Sequence, residues 1–216
     1  LYYRYTSKWV ELFINEPVMI DIETANYIKG LHNLVSANFN LRNYGGFKKM
    51  LQVFEDFSET DIVKHVDNNR IQVFVYLYIA KINQHFLEGT FKEGLENVPE
   101  INKQLDEFYL YLDHHRTLVF YYKIASLYFG AGDSGTTIDY LNKIINWKVD
   151  LRNDLQCYAR LLNLIAHYEL GNFQLLDYLV KSVYRFRIRL QNLSLVEEGM
   201  VSFVGKALYL IPKKLN

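Results

Sequence analysis

Tyr121-Tyr122-Lys123-Ile124-Ala125-Ser126-Leu127-Tyr128-Phe129-Gly130-Ala131-Gly132-Asp133-Ser134 carries the end of one helix and the start of another in a single line. Tyr121, Ile124, Ala125 and Tyr128 stand at i, i+3, i+4 and i+7, which is one face of an α-helix. Gly132 can adopt the left-handed conformation that closes a helix, and Asp133 can accept a bond from the orphan N–H groups of the next one. Past the turn, Thr137, Leu141 and Ile144 step by four and three and share a face again. The stretch predicts a helical hairpin.

The same turn recurs along the chain. Gly45-Gly46-Phe47, Gly89-Thr90-Phe91, Gly132-Asp133-Ser134 and Gly171-Asn172-Phe173 have first glycines 44, 43 and 39 residues apart. After each glycine, apolar or small residues fall at constant offsets: Met50, Phe54 and Phe57, then Gly94, Val98 and Ile101, and finally Leu176, Val180 and Val183. Before the last turn, Leu161, Leu164, Ile165 and Tyr168 repeat the pattern of Tyr121 to Tyr128. Thr90, with Glu93 three residues on, has the residues of a capping box. Ile71 to Ala80 has strand-like composition, but it runs on to Glu88 without a breaker, and a strand of about 15 residues is far beyond the usual length.

The expected fold is therefore all-α, a single helical-repeat domain over residues 1–216. A leading half-pair covers 1–14, hairpins cover 18–57, 61–108, 112–146 and 151–190 with first helices near 18–42, 61–88, 112–130 and 151–170, and a capping helix covers 194–210. The capping helix is opened by Ser194 with Glu197 and stopped by Pro212. Pro17 suits a first helical turn, whereas Pro99 should kink or split the second helix of the second hairpin.

Composition narrows the function classes. Lysine plus arginine (24) balances aspartate plus glutamate (24), so no net field draws nucleic acid or an anionic membrane, and no nucleic-acid partner is expected through this region. The longest run without these four residues, Gly30 to Leu41, has 12 residues against the roughly 20 that a membrane-spanning helix needs. The single Cys157 excludes an internal disulfide and a cysteine-based metal site. The opening Leu1-Tyr2-Tyr3-Arg4 lacks the features of a signal peptide and reads as a piece of a longer chain. A reducing, cytoplasmic setting is the expectation from cysteine usage.

The hairpins resemble the tetratricopeptide repeat. Tyr121-x2-Ile124-Ala125-x2-Tyr128 followed by Thr137-x3-Leu141 matches the spacing of its W-x2-L-G-x2-Y and A-x3-F signature, and Leu161-x2-Leu164-Ile165-x2-Tyr168 is a second match. The units are longer than the family's usual 34 residues, which leaves open a divergent tetratricopeptide-like array or another helical-hairpin solenoid of the HEAT or armadillo kind. The resemblance implies a right-handed α-α superhelix whose first helices line a concave groove for a protein or peptide. Carried over by position, the lining is Val35, Phe39 and Arg42 in the first hairpin and Ile79, Asn83 and Phe86 in the second. Tyr122, Ser126 and Phe129 follow in the third, and Leu162, Ala166 and Glu169 in the fourth. Core packing of these same residues is the competing expectation.

Catalytic patterns are missing from the sequence. The six histidines make no i, i+4 pair or HExxH, and there is no GxSxG, P-loop or GxGxxG signature. No catalytic residue, metal or cofactor is expected, and the chain is read as a non-enzyme. His114-His115-Arg116 reads as the solvated start of a helix, and Cys157 as a small buried apolar group. Lys181, Arg185 and Arg189 step by four and form a basic stripe, read first as a solvated face and second as a contact surface. The function expected is a non-catalytic protein- or peptide-binding scaffold. The competing function is a ligand- or peptide-sensing domain of a regulator whose effector part precedes Leu1. Self-association through the opening residues is a further expectation.

Overall fold

The computed structural model describes the backbone of residues 1–147 and 152–190, and the side chains of all these except 187–190. Among the described residues every regular element is helical. The expected capping helix at 194–210 lies outside them.

The chain falls into two compact units, one from Leu1 to Arg116 and one beginning at Thr117. The first contains α1 (Tyr2–Asn15), α2 (Val18–Ile22), α3 (Thr24–Asn40), α4 (Tyr44–Ser58), α5 (Asp61–Lys64), α6 (Asp67–Glu88), α7 (Phe91–Gly94) and α8 (Val98–Glu107). The boundary falls in the first turn of α9 (His114–Gly130), which the second unit continues with α10 (Ser134–Ile145), α11 (Asn153–Glu169) and α12 (Phe173–Leu190). In the first unit α3 packs on α1, α4 and α6, and in the second α11 packs on α10 and α12.

Three expected helices are interrupted. The helix expected over 18–42 is two, α2 and α3, because Glu23 leaves the helical region and the Thr24 hydroxyl donates back to the Ile20 carbonyl at 2.8 Å. The helix expected over 61–88 breaks between α5 and α6, where Val66 is extended. The second helix of that hairpin is divided by a 3-10 turn, Leu95–Asn97, after which Pro99 sits in the first turn of α8. There its missing N–H leaves no partner unsatisfied.

The first hairpin turn is not where its glycines are. Gly45 and Gly46 lie inside the first turn of α4, and the left-handed residue is Arg42, with φ 52°. Gly89, Gly132 and Gly171 hold the same place in the other turns, with φ of 71°, 87° and 72°. The backbone bonds prove the equivalence. The residue after each left-handed position donates to the carbonyl five back, Asn43 to Asn38, Thr90 to His85, Asp133 to Tyr128 and Asn172 to His167, all at 2.9–3.1 Å. That is the closure of a Schellman motif, made four times.

Counting from Arg42 re-registers the first hairpin by three residues. The true equivalents of Thr137, Leu141 and Ile144 are Phe47, Leu51 and Phe54, which are 2, 3 and 0 % exposed, whereas Met50 is only half-buried. The same positions hold Gly94, Val98 and Ile101 after Gly89, all buried, and Leu176 and Val183 after Gly171, also buried. Each second helix thus turns one apolar face inward against its hairpin mate, the general solution for an amphipathic helix that cannot cover itself. Thr137 fits this apolar place because its hydroxyl is satisfied by the Asp133 carbonyl at 2.7 Å.

Candidate functional site

The first helices meet their successors in a fixed register within each unit. His32, ten residues before the left-handed Arg42, stacks on Tyr76, thirteen before Gly89, with ring centroids 4.1 Å apart and planes at 17°. Tyr122, ten before Gly132, faces Tyr158, thirteen before Gly171, at 6.5 Å and 47°. Arg116 lies over the other ring neighbour of this set, 5.7 Å from the centroid of Tyr76, and is held by Asp113 at 3.2 Å. Burial, and secondarily the Arg116 charge, holds His32 down at about 4, so the stacked imidazole is neutral at pH 7. Burial raises the Tyr122 hydroxyl, with Tyr158 adding to it.

The sequence-derived lining divides between surface, half-buried and core positions. Phe39, Phe86, Tyr122, Ser126 and Phe129 are half-buried, and Asn83 is 7 % exposed and belongs to the interior of its unit. Val35 and Ala166 are core residues as well. Arg42 is the left-handed turn residue, exposed at the corner of the hairpin and not on a helix face. Its selection followed from placing the turn at Gly45. Glu169 is the exposed last residue of α11. Several aromatics on this list tie their own hairpins together: Phe39 packs on Phe47 at 6.2 Å and Phe86 on Phe91 at 6.2 Å. Ser126 donates to the Tyr122 carbonyl at 2.9 Å, a back-bond within its own helix.

His32, Tyr76 and Tyr158 were missed by the sequence reading. The signal that finds them is their offset from the left-handed residue, which is legible only once Arg42 replaces Gly45 as the origin of the first hairpin.

Two other histidines act at hairpin corners. His85 Nδ1 lies 2.8 Å from the Thr90 hydroxyl, and His167 Nδ1 lies 3.1 Å from the Asn172 amide nitrogen. In the first turn Asn38 takes that role, accepting from the Asn43 amide at 2.8 Å. The helix-terminal side chain and the residue after the left-handed position are thus clasped in three turns. This bond replaces the expected capping box, since the Thr90 side chain makes no bond to the first turn of α7. Asp133, by contrast, caps α10 as its residue type suggests, accepting from the Thr136 N–H at 2.9 Å. Burial pulls Lys123, between Tyr122 and Ile124 on α9, down to about 8.

A cleft of about 350 Å³ opens in the first unit between the α4–α5 connection and α8, with α6 as its floor. Val73, Phe74 and Leu77 form an apolar base, and charged pairs form the rims. Lys64 meets Glu59 at 2.8 Å, Arg70 meets Glu107 at 2.8 Å, and Lys103 meets Glu100 at 3.7 Å. Lys81 reaches Glu55 at 3.2 Å while lying 5.4 Å from the centroid of Tyr78. Burial raises the Tyr78 hydroxyl, helped by the charge of Glu100. The basic and acidic groups neutralise one another, so this cleft offers polar contacts without a net field.

The basic stripe is likewise tied into its own helix. Lys181 and Arg185 are exposed, Lys181 pairs with Asp177 at 2.6 Å, and Arg185 Nε donates to the Lys181 carbonyl at 3.3 Å. The side chain of Arg189 lies outside the described residues. Cys157 is buried on α11. Among the described residues no group of three or more His, Cys, Asp or Glu is placed to hold a metal ion, and no helix is long and apolar enough to cross a membrane. No family model matches the chain, and neither the curated proteins nor the solved structures contain a match to it.

Proposed function

We propose that the chain is a non-catalytic protein- or peptide-binding scaffold, its hairpins stacked as in a right-handed α-α superhelix of tetratricopeptide-like type. The observation that supports this reading is the recurrence of half-buried aromatics at matched positions on the first helices: His32, Tyr76 and Phe86 in the first unit, Tyr122 and Phe129 in the second. Large rings with part of their surface open supply contact area at low conformational cost, which suits an apolar or helical peptide segment.

A random-peptide display library selected against the whole chain tests it. Binding by the enriched peptides should fall at least about tenfold in Tyr122→Ala or Phe129→Ala variants that keep the wild-type circular dichroism. Undiminished binding by those folded variants removes both residues from the contact. The cleft of about 350 Å³ in the first unit favours a second reading, a ligand- or peptide-sensing domain, because it has the size of a small-molecule site. Peptides whose binding is lost on Tyr78→Ala but not on Tyr122→Ala would select that reading.

A further inference from the structure

Tyr121 and Tyr128 stand two turns apart on one face of α9, and Tyr140 of α10 touches both. Tyr140 is 8 % exposed, while the other two rings are half-buried. Its ring meets that of Tyr121 at 6.1 Å with planes at 58°, and stacks on that of Tyr128 at 5.8 Å and 20°. Tyr121 and Tyr140 thus form the two walls of a notch, and Tyr128 braces one of them. One turn beyond Tyr140, the exposed Lys143 places its ammonium in this notch, 4.4 Å from the Tyr140 centroid and 5.0 Å from that of Tyr121. Arg70, Lys81 and Arg116 also lie over rings, but over one ring each, and each is held there by a carboxylate. Lys143 is held by two rings, with no ion pair among the described residues.

We propose that this notch is a binding site for a trimethylammonium group, and that Lys143 is a tethered stand-in which the ligand displaces. The chain's own cation marks the point where the negative faces of two rings converge. Its distances suit the larger cation, since a methylated nitrogen resting its methyl groups on a ring lies about 4–5 Å from the centroid. The chemistry favours the exchange. A primary ammonium carries three donors that ring faces satisfy poorly, and it is strongly hydrated. A trimethylammonium has the same charge, donates no hydrogen bond and buries methyl surface against the rings.

The surroundings suit a cation after Lys143 swings out. Asp139 precedes Lys143 by four residues and so shares its face of α10, where it is exposed. Asp133 lies near enough to Tyr128 for its charge to help raise that hydroxyl, behind the larger effects of burial and Tyr140. These two carboxylates border the notch with negative charge.

Titration of the whole chain with tetramethylammonium and with choline, followed through the methyl proton signals of the ligand, tests this. Both should bind at millimolar concentration. Lys143→Ala, on an exposed helix position, removes the competing ammonium and should tighten binding about two- to fivefold. Tyr121→Leu should weaken it about five- to tenfold, and Tyr121→Phe, which keeps the ring face, should bind as the wild type does. Dimethylbutanol, the uncharged carbon isostere of choline, should bind at least about tenfold more weakly than choline. A peptide carrying one trimethyllysine identifies the source: tighter binding than choline assigns the site to a peptide side chain, and equal or weaker binding assigns it to a small molecule. Failure of tetramethylammonium and choline to bind either the wild-type chain or Lys143→Ala overturns the proposal. So does binding that Lys143→Ala and Tyr121→Leu leave unchanged, or that dimethylbutanol matches.

Discussion

At Arg42 and at Gly132 the chain reverses direction by the same backbone bonds with different residues. In both turns the left-handed position is followed by a residue that donates to the carbonyl five back and caps the next helix, Asn43 in one and Asp133 in the other. Gly132 adopts its φ of 87° without a steric penalty, whereas Arg42 is held at 52° at a cost of about 1–2 kcal/mol. Turn one offsets that cost through a denser clasp. Asn43 donates to Asn38 and accepts from Gly46 N–H at 3.2 Å, and the absence of a side chain on Gly46 makes room for both amides. The two turns show that what repeats is a hydrogen-bond pattern and a set of core offsets, and that glycine is one of several ways to satisfy them.

The equivalence is easiest to break in the core. Leu51→Ala and Leu141→Ala occupy the same place in their hairpins, and each should lower stability by about 2–5 kcal/mol in urea unfolding. Met50→Ala should lower it by only about 1 kcal/mol, since its side chain is part exposed. A Met50 effect as large as that of Leu51 would return the origin of the first hairpin to Gly45.

The contact between successive first helices titrates in the acid range in the first unit, through His32. His32 is held at about 4 against an ordinary 6.5, so the unfolded state takes up the proton first as pH falls. The associated stability, about 2–3 kcal/mol, is complete above pH 6.5 and is lost progressively as pH drops toward 4. A His32→Tyr variant, which copies Tyr122, should have a flatter stability profile over that window. An unchanged profile would mean that His32 is not the group responsible.

Gly46→Ala should cost about 1–3 kcal/mol, because a Cβ there overlaps the Asn38 amide. The penalty should shrink in an Asn38→Ala background, which a double-mutant cycle reads directly. Gly135→Ala, in the first turn of α10 with only an ordinary contact nearby, should be neutral or slightly stabilising. The left-handed positions themselves are the most diagnostic of the two turns. Arg42→Gly should gain about 1 kcal/mol and Gly132→Ala should lose about as much, both measured by thermal unfolding.

Much of the fold was legible because hairpins are local. The i, i+3, i+4, i+7 pattern of Tyr121 to Tyr128 and the Gly-Asp turn specify a helix, its stop and the next cap within a few residues, and each prediction there needs no distant partner. Where the turn residue was not glycine, the same reasoning slipped by three positions, because an arginine in the left-handed region leaves no mark in composition. The breaks at Glu23 and Val66 were invisible for a related reason. Both are ordinary residues with no helix-breaking signature of their own, and their departure from helix shows only in the backbone, at φ −118° for Glu23 and −121° for Val66. The candidate face suffered from the slip, as Arg42 moved to a corner, while Asn83 went into the core and Phe39 and Phe86 became hairpin contacts.

The amino-acid order alone determined that the chain is helical, where three of its four turns fall, and which side of each second helix is apolar. Those properties follow from periodicity and backbone sterics, which act over one or two helical turns. Tertiary structure alone decided that Arg42 makes the first turn, that His32 lies on Tyr76 and Tyr122 near Tyr158, and that Tyr5 and Leu12 stay open while Val10 does not. Those outcomes depend on which helix arrives beside which, and an apolar side chain carries the same hydrophobic drive whichever neighbour covers it.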